Sequence, residues 1–355
     1  MISKEFFENI SLMAQERGIT EEQALEAVRE GLIKAYRKAN GNASARVEFK
    51  PEKNEILMYS QMLVVDEIDE TNEVGQILLK DAKEISNRYK LGDIVEQKID
   101  PKKEFGRIAV STGKQTFNQS IRTAERENIT EYFKKCENEM IDATIIKIDE
   151  KGAVLSLANN YTTLLPRREI LQNDNFTVGE KIKVYLVAVE ESAKGPKITV
   201  SRSDKNLVIR LMEKEIPEIA DGTIEIMGIA RDAGDRSKVA IRSTDDKVDA
   251  IGSCVGEKGV RINGIVNALN GEKIDLYKYS NTPEELIANS LQPAEVLAVI
   301  DVDPKAKTSL AIVPDDQLSL AIGKAGQNVR LAVQSCGWKI DIKSESDAKA
   351  EGRSF

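Results

Sequence analysis

The feature that most constrains this chain is an internal repeat spanning residues 204–345. Gly256-Glu257-Lys258-Gly259 and Gly323-Lys324-Ala325-Gly326 share the pattern Gly-x-x-Gly and lie 67 positions apart (323 − 256). Behind the first, Ile262, Ile265, Val266 and Leu269 recur with the i, i+3, i+4, i+7 spacing of one helix face. Behind the second, Val329, Ala332, Val333 and Cys336 do the same at the same offset. Each stripe leads to an identical tripeptide, Lys273-Ile274-Asp275 and Lys339-Ile340-Asp341. Upstream, Ala240-Ile241 with Asp245-Asp246 is echoed by Ala311-Ile312 with Asp315-Asp316. The first copy carries three extra residues between its Asp pair and its glycine loop, since 256 − 245 exceeds 323 − 315 by three. Duplication of one folding unit accounts for all of these coincidences together.

Each copy reads as helix-strand-strand-helix-helix-strand, with the glycine loop between its two short inner helices. That is the setting of a KH module of type II (α-β-β-α-α-β). There the glycines let the backbone approach closely enough to clamp about four nucleotides of single-stranded RNA. The loop also opens the next helix, whose free N–H groups and dipole favour phosphate. Candidate RNA contacts are therefore Gly256, Glu257, Lys258, Gly259 and Arg261 in the first copy. In the second they are Gly323, Lys324, Ala325, Gly326 and Arg330. The copies differ: Arg261 is matched by Asn328, with Arg330 two residues later, and Glu257 in the first loop opposes phosphate, so the second copy is expected to contribute at least as much affinity.

Ahead of the repeat, residues 136–203 show short alternating runs, including Ile141–Ile145, Val154–Leu157 and Tyr161–Leu165, with Asn159-Asn160 suited to a tight hairpin. About five strands in so short a stretch predict an OB-type S1 β-barrel. Tyr161, Arg167 and Arg168 are its candidate RNA contacts, with Phe176 and Tyr185 as further aromatics, some of which must fill the barrel core. Residues 1–135 predict an α+β domain. A helix is expected over 3–17, and Thr20-Glu21-Glu22-Gln23 forms a capping box for a second. That second helix carries an apolar stripe of Leu25, Val28, Leu32 and Tyr36. Strands follow over Glu55–Val65 and Ile94–Ile99, a helical stretch near 80–89, and a long polar helix over 114–135. The whole is a multidomain α+β protein: an N-terminal domain (1–135), the barrel (136–203), a first KH domain (204–280), a second (281–345) and a polar, frayed tail (346–355). No Gly/Ser-rich linker separates the barrel and KH units, so a rigid joined surface is expected.

Several chemistries are excluded. The chain has no histidine, which removes the usual general base and the commonest zinc ligand. Cys136, Cys254 and Cys336 form no CxxC, and no phosphate-binding GxxxxGK[ST] loop occurs; no metal, cofactor or enzymatic activity is expected. Lys and Arg total 51 against 59 Asp and Glu, a net charge of −8. No section is basic: residues 1–135 hold 22 basic and 24 acidic side chains, 136–202 hold 9 and 10, and 203–355 hold 20 and 25. RNA contact must therefore rest on local geometry rather than on a bulk field. No run is long and apolar enough for a membrane span, and the start, Met1-Ile2-Ser3-Lys4-Glu5, carries no hydrophobic signal region. A cytoplasmic monomer is the expectation.

A barrel followed at once by two KH units resembles the NusA family of bacterial transcription factors. The matching stretches include Leu164-Leu165-Pro166-Arg167, Ser201-Arg202-Ser203, Gly252-Ser253-Cys254-Val255-Gly256, Pro314-Asp315-Asp316-Gln317 and Gly326-Gln327-Asn328-Val329-Arg330-Leu331-Ala332. The resemblance runs from about residue 1 to 345. It implies an N-terminal domain that docks on RNA polymerase, and an S1-KH-KH body on the nascent single-stranded RNA. It also implies work with other Nus factors in pausing, intrinsic termination and antitermination. Some members extend with acidic C-terminal repeats, which this sequence does not carry, so regulation through them is not expected. The alternative from the residues alone is a general single-stranded RNA binder or chaperone without polymerase contact. An exoribonuclease is disfavoured because residues 1–135 are too few for its catalytic core.

Overall fold

The first helix, α1 (Phe6–Arg17), ends on Gly18 in the left-handed conformation, and Thr20 then starts α2 (Glu21–Asn40). The capping box forms as the sequence predicts: the Thr20 hydroxyl accepts from the Gln23 N–H at 3.1 Å, and the Gln23 side chain accepts from the Thr20 N–H at 2.9 Å. The computed structural model describes residues 5–41, 43–69, 75–100, 105–192 and 195–355, so positions 3 and 4 of the expected first helix lie outside the described residues. The chain divides into two units, Met1–Tyr132 and Phe133–Phe355.

In the first unit, β1 (Ser44–Lys50) pairs antiparallel with β2 (Glu55–Val65), which also takes β3 (Gln76–Leu78) in parallel and β4 (Ile94–Ile99) antiparallel. Helix α3 (Leu79–Ile85) follows β3, and α4 (Arg107–Lys135) begins seven residues earlier than expected, 114 − 107. The apolar stripe expected on α2 needs correction. Leu25, Val28 and Leu32 are only half-buried, while Ala24, Ala27, Gly31 and Ala35 go fully inside with Tyr36. The cause is the helix crossing. A Cβ at Gly31 would lie 2.9 Å from the Gly113 carbonyl oxygen, and one at Gly113 2.7 Å from that of Gly31, so α2 and α4 touch backbone to backbone. Ile10, Ala14 and Ile19 pack with Ile121 and Ala124 beside this crossing. Replacing Gly113 with valine should force the helices apart and cost on the order of 3 kcal/mol or more of first-unit stability. A urea melt with an unchanged midpoint would show that the crossing gives way freely.

In the second unit, β5 (Met140–Asp149), β6 (Gly152–Ser156), β7 (Thr162–Pro166), β8 (Lys181–Glu190) and β9 (Lys197–Ser201) form an antiparallel sheet in the order β7-β6-β5-β8-β9. The Thr163 hydroxyl donates to the Ile198 carbonyl at 2.6 Å and the Tyr161 hydroxyl to that of Pro196, drawing β7 against β9 into the S1-type barrel. Its interior holds Ile145, Leu155, Leu165, Val184, Leu186 and Val200, none more than 1% exposed. Asn159 and Asn160 both take φ 54°, as a tight hairpin here requires. Phe133 belongs with the barrel: it is 1% exposed and its ring lies 5.7 Å from that of Tyr161.

The duplicated units then follow. Asp204 caps α5 (Lys205–Glu215), and a short α6 (Pro217–Ala220) leads to β10 (Ile224–Asp232), β11 (Arg236–Ser243), α7 (Ala250–Val255), α8 (Val260–Ala268) and β12 (Lys273–Lys278). The second copy is α9 (Pro283–Ser290), β13 (Ala298–Asp303), β14 (Thr308–Val313), α10 (Leu318–Ile322), α11 (Gln327–Cys336) and β15 (Lys339–Ser344). Each makes a three-stranded sheet whose first pair is antiparallel and second parallel. The repeated Lys-Ile-Asp falls at the same place in both: Lys273–Asp275 opposite Arg236–Lys238, and Lys339–Asp341 opposite Thr308–Leu310. The tail is not frayed throughout. Ser344 caps a helix, α12 (Glu345–Ala350), Ala348 is fully buried, and the Asp315 carboxylate accepts from both the N–H and the hydroxyl of Ser346.

The joints within this unit are packed interfaces. Arg202, directly after β9, forms a two-pronged pair with Asp174 at 2.7 Å on each prong, and the two side chains are 1% and 0% exposed. Asn270 of the first KH domain donates to the same carboxylate, and Asn173 donates back to the Leu269 and Asn270 carbonyls. Leu171 and Tyr185 of the barrel share one core with Leu207, Leu211, Val239 and Ile265. Between the KH domains, a Cβ at Gly228 would sit 2.1 Å from the Ser335 carbonyl oxygen, so β10 and α11 meet at backbone distance. The Tyr277 hydroxyl donates to that of Ser335 at 3.0 Å. The Lys238 ammonium donates to the Ser290 and Gln292 carbonyls at 2.8 and 2.7 Å. Burial pulls that ammonium down to about 8, because water no longer solvates its charge.

Candidate nucleic-acid interface

The two glycine loops are near-identical objects. Gly256 has φ 75° and ψ 172°, Gly323 φ 77° and ψ 170°; Gly259 and Gly326 are both left-handed, at φ 77° and 74°. The second inner residue is left-handed too, Lys258 and Ala325 both at φ 53°. Gly259 N–H donates to the Gly256 carbonyl and Gly326 N–H to that of Gly323, each at 3.1 Å. The conformation is built into the fold: a side chain at Gly256 would strike Arg261 at 2.8 Å, and one at Gly323 would strike Asn328 at 2.8 Å. Glu257, Lys258, Lys324 and Ala325 all project to solvent from the loop tips.

Arg261 and Asn328, which the sequence sets apart by charge, share a structural task. Arg261 donates to the Ser253 carbonyl at 2.7 Å and pairs with Glu218 at 2.8 Å. Its guanidinium holds the Glu218 carboxyl below the usual range. Asn328 donates to the Ala321 and Leu291 carbonyls at 3.0 Å each. Each thus bridges from the helix behind its loop to a carbonyl of the helix before it, Ser253 or Ala321, satisfying a group that a short helix leaves unpaired, and Asn328 also reaches Leu291 at the end of α9. Arg330 is half-exposed and pairs across the domain joint with Asp232 at 2.6 Å. A cleft of about 780 Å³ runs beside the first loop, with Ile251, Val255, Ile262 and Leu276 on one wall and Gln292 and Glu295 of the second KH domain on the other.

On the barrel, Arg167 and Arg168 are exposed, with Arg168 beside Glu169 at 3.4 Å. The aromatics turn inward. Tyr161 is tied to Pro196 and stacked toward Phe133, burial raising its hydroxyl above the usual tyrosine range. Phe176 lies 5.7 Å from the Arg202 guanidinium, and Tyr185 is 5% exposed with its hydroxyl on Asn138. What the barrel shows to solvent instead is aliphatic: Ile146 and Ile148 of β5 and Leu164 of β7. Ile146 faces out beside the fully buried Ile145 as period-two alternation places it, and the bulge between Ile145 and Lys147 then leaves Lys147, opposite Val154, facing out as well. Strict alternation along the sequence gave no sign of that shift.

Among the described residues no helix is long and apolar enough to cross a membrane. Comparison with known families matches residues 5–127 to the NusA N-terminal domain, 202–279 to the NusA-like first KH domain and 283–350 to the NusA-like second KH domain. The transcription termination/antitermination protein NusA of Bacillus subtilis is 44% identical over 353 residues, covering 99% of this chain and 94% of that protein. Its counterpart in Halalkalibacterium halodurans is 41% identical, covering 99% and 91%. The one in Thermus thermophilus is 36% identical, covering 96% and 90%.

Proposed function

Since this chain belongs to the NusA family of transcription termination/antitermination proteins, we propose that it works on bacterial RNA polymerase, its N-terminal unit docking on the enzyme while the barrel and KH domains hold the emerging transcript. It is an RNA-binding transcription factor of the termination/antitermination class. The finer assignments are our reading. RNA enters at Gly256–Gly259 and Gly323–Gly326, with Lys258 and Lys324 facing phosphate and Arg167 and Arg168 extending the track on the barrel. The protein acts in the cytoplasm without catalysis of its own, alongside other Nus factors.

The observation that carries this reading is the pair of matched loops on one packed body. Their backbone torsions agree within a few degrees, and the barrel-KH and KH-KH joints are buried ion pairs and backbone contacts rather than linkers. Weak sites held at fixed spacing gain from one another, because binding at the first makes the second intramolecular. That offsets the missing positive field of a chain with net charge −8. Single-round transcription on a template with a hairpin-stabilised pause tests the proposal. The full chain should lengthen the pause, and deletion of residues 1–132 should remove the effect while single-strand RNA binding remains. Unchanged pausing with intact RNA binding would leave the general RNA-binder reading in its place.

A further inference from the structure

We infer that Asp232 and Asp235, on the β10–β11 hairpin of the first KH domain, act as built-in competitors for RNA phosphate at the second glycine loop and set its affinity. This rests on the assignment of RNA to the loops and deepens it. Gln327, the residue directly after Gly326, donates through its side-chain amide to Asp232 at 2.8 Å and to Asp235 at 2.5 Å. One helical turn further on, Arg330 donates to Asp232 at 2.6 Å. Two carboxylates from one domain thus lie along the first turn of the helix that the other domain's loop opens. That turn is where a bound phosphate finds free N–H groups and the positive end of the dipole.

Two consequences follow from charge alone. Arg330, the base nearest the second loop on α11, is neutralised before RNA arrives. A phosphate on the loop also meets two like charges within about a Debye length, which should weaken binding two- to threefold per carboxylate at low salt. At the first loop the acid comes from within: Arg261, in the first turn behind that loop, is engaged by Glu218 of its own domain. The difference lies in where the acids come from. The second clamp is muted by the neighbouring domain, so its strength depends on how the two KH domains are joined.

The test uses the full chain and a labelled, unstructured oligoribonucleotide, titrated across a salt series. The D232N/D235N double variant keeps side-chain size and the ability to accept from Gln327 while removing both charges. It should bind about three- to tenfold more tightly at low salt. Its log K against log salt should steepen by about 0.7, the increment for one added phosphate contact on a single strand. R330Q should change little in the wild-type background and, combined with D232N/D235N, should remove the part of the gain that comes from the freed arginine and the added salt slope while the relief of repulsion remains, a coupling that only a freed arginine produces. The gain should also vanish when the second loop is disabled by K324D/A325D. Unchanged or weaker binding by a D232N/D235N protein with an unaltered melt would overturn the inference, as would a gain that survives K324D/A325D. If K324D/A325D alone leaves affinity untouched, the assignment of RNA to that loop fails and the inference falls with it. If K324D/A325D weakens binding but D232N/D235N does nothing, only the inference is lost.

Discussion

Placing aspartate at both inner positions of both glycine loops, 257 and 258 in the first and 324 and 325 in the second, is expected to abolish most single-strand RNA affinity without unfolding the protein. The electrostatic part is large. Lys258→Asp and Lys324→Asp each reverse a charge that points into solvent at a loop tip, and Ala325→Asp adds another. One reversed contact facing a phosphate costs on the order of tenfold at low salt, so the combined variant should bind at least a hundredfold more weakly. The effect should shrink as salt rises, because a loss by charge repulsion is screened whereas a loss by misfolding is not.

The backbone explains why folding should survive. Lys258 and Ala325 both sit at φ 53°, a region that costs an ordinary side chain about 1 kcal/mol and that Asp and Asn tolerate best among non-glycine residues. Aspartate at 325 therefore eases strain rather than adding it. No side chain at 257, 258, 324 or 325 is buried, and the groups that define the loops, Arg261 and Asn328, are left alone. Circular dichroism and a thermal melt like wild type, together with unchanged RNA binding, would show that the loops are not the clamps. The outcome for the two loops singly bears on their ranking. A larger loss from the first would fit the muting of the second by Asp232 and Asp235 and would contradict the sequence-based expectation that the second contributes at least as much.

That expectation shows where a sequence can and cannot be read. The repeat was legible because it is written in local terms. Glycines that need left-handed torsions and apolar residues at helical spacing both leave marks within a few positions, and Lys-Ile-Asp recurs because both copies place it on the same parallel strand. The contrast between Arg261 and Asn328 was legible as letters but misleading as chemistry. An arginine and an asparagine reach carbonyls in the last turns of two matching short helices, Ser253 in one and Ala321 with the equivalent Leu320 in the other, and only the fold puts those carbonyls within reach. On α2 the stripe of large residues drew attention from the alanines and Gly31, because hydrophobicity scales carry no record of how closely another helix will come. The burial of Lys238 and the hold of Asp232 on Arg330 are contacts between domains. They depend on pairing across 52 and 98 positions, and no periodicity announces them.

Breaking the Arg202–Asp174 pair should do to the body what the loop variants do to its grip. Asp174→Ala leaves a guanidinium that is 1% exposed with the Lys183 carbonyl at 2.8 Å and the Ala268 carbonyl at 3.4 Å as its acceptors. It also strips Asn270 of the carboxylate that it donates to from the first KH domain. An uncompensated buried charge of this kind costs about 3–5 kcal/mol, a large share of the roughly 5–15 kcal/mol that holds a typical domain folded. The urea midpoint of the second unit should fall accordingly, while first-unit melting stays put. Whether the pair itself stabilises is a separate question, and the double variant R202M/D174L answers it. Replacing both partners with apolar groups of similar volume is often neutral or better. Recovery of most of the stability by the double variant would mean that the pair adds little net stability, and the role expected for it is then geometric, fixing the barrel on the first KH domain at one angle. Such a protein should melt like wild type yet bind RNA spanning both domains less tightly, since sites that no longer hold a fixed spacing lose their mutual advantage. A double variant that matches wild type in both respects would show instead that the shared core around Leu171 and Tyr185 is enough to set that angle.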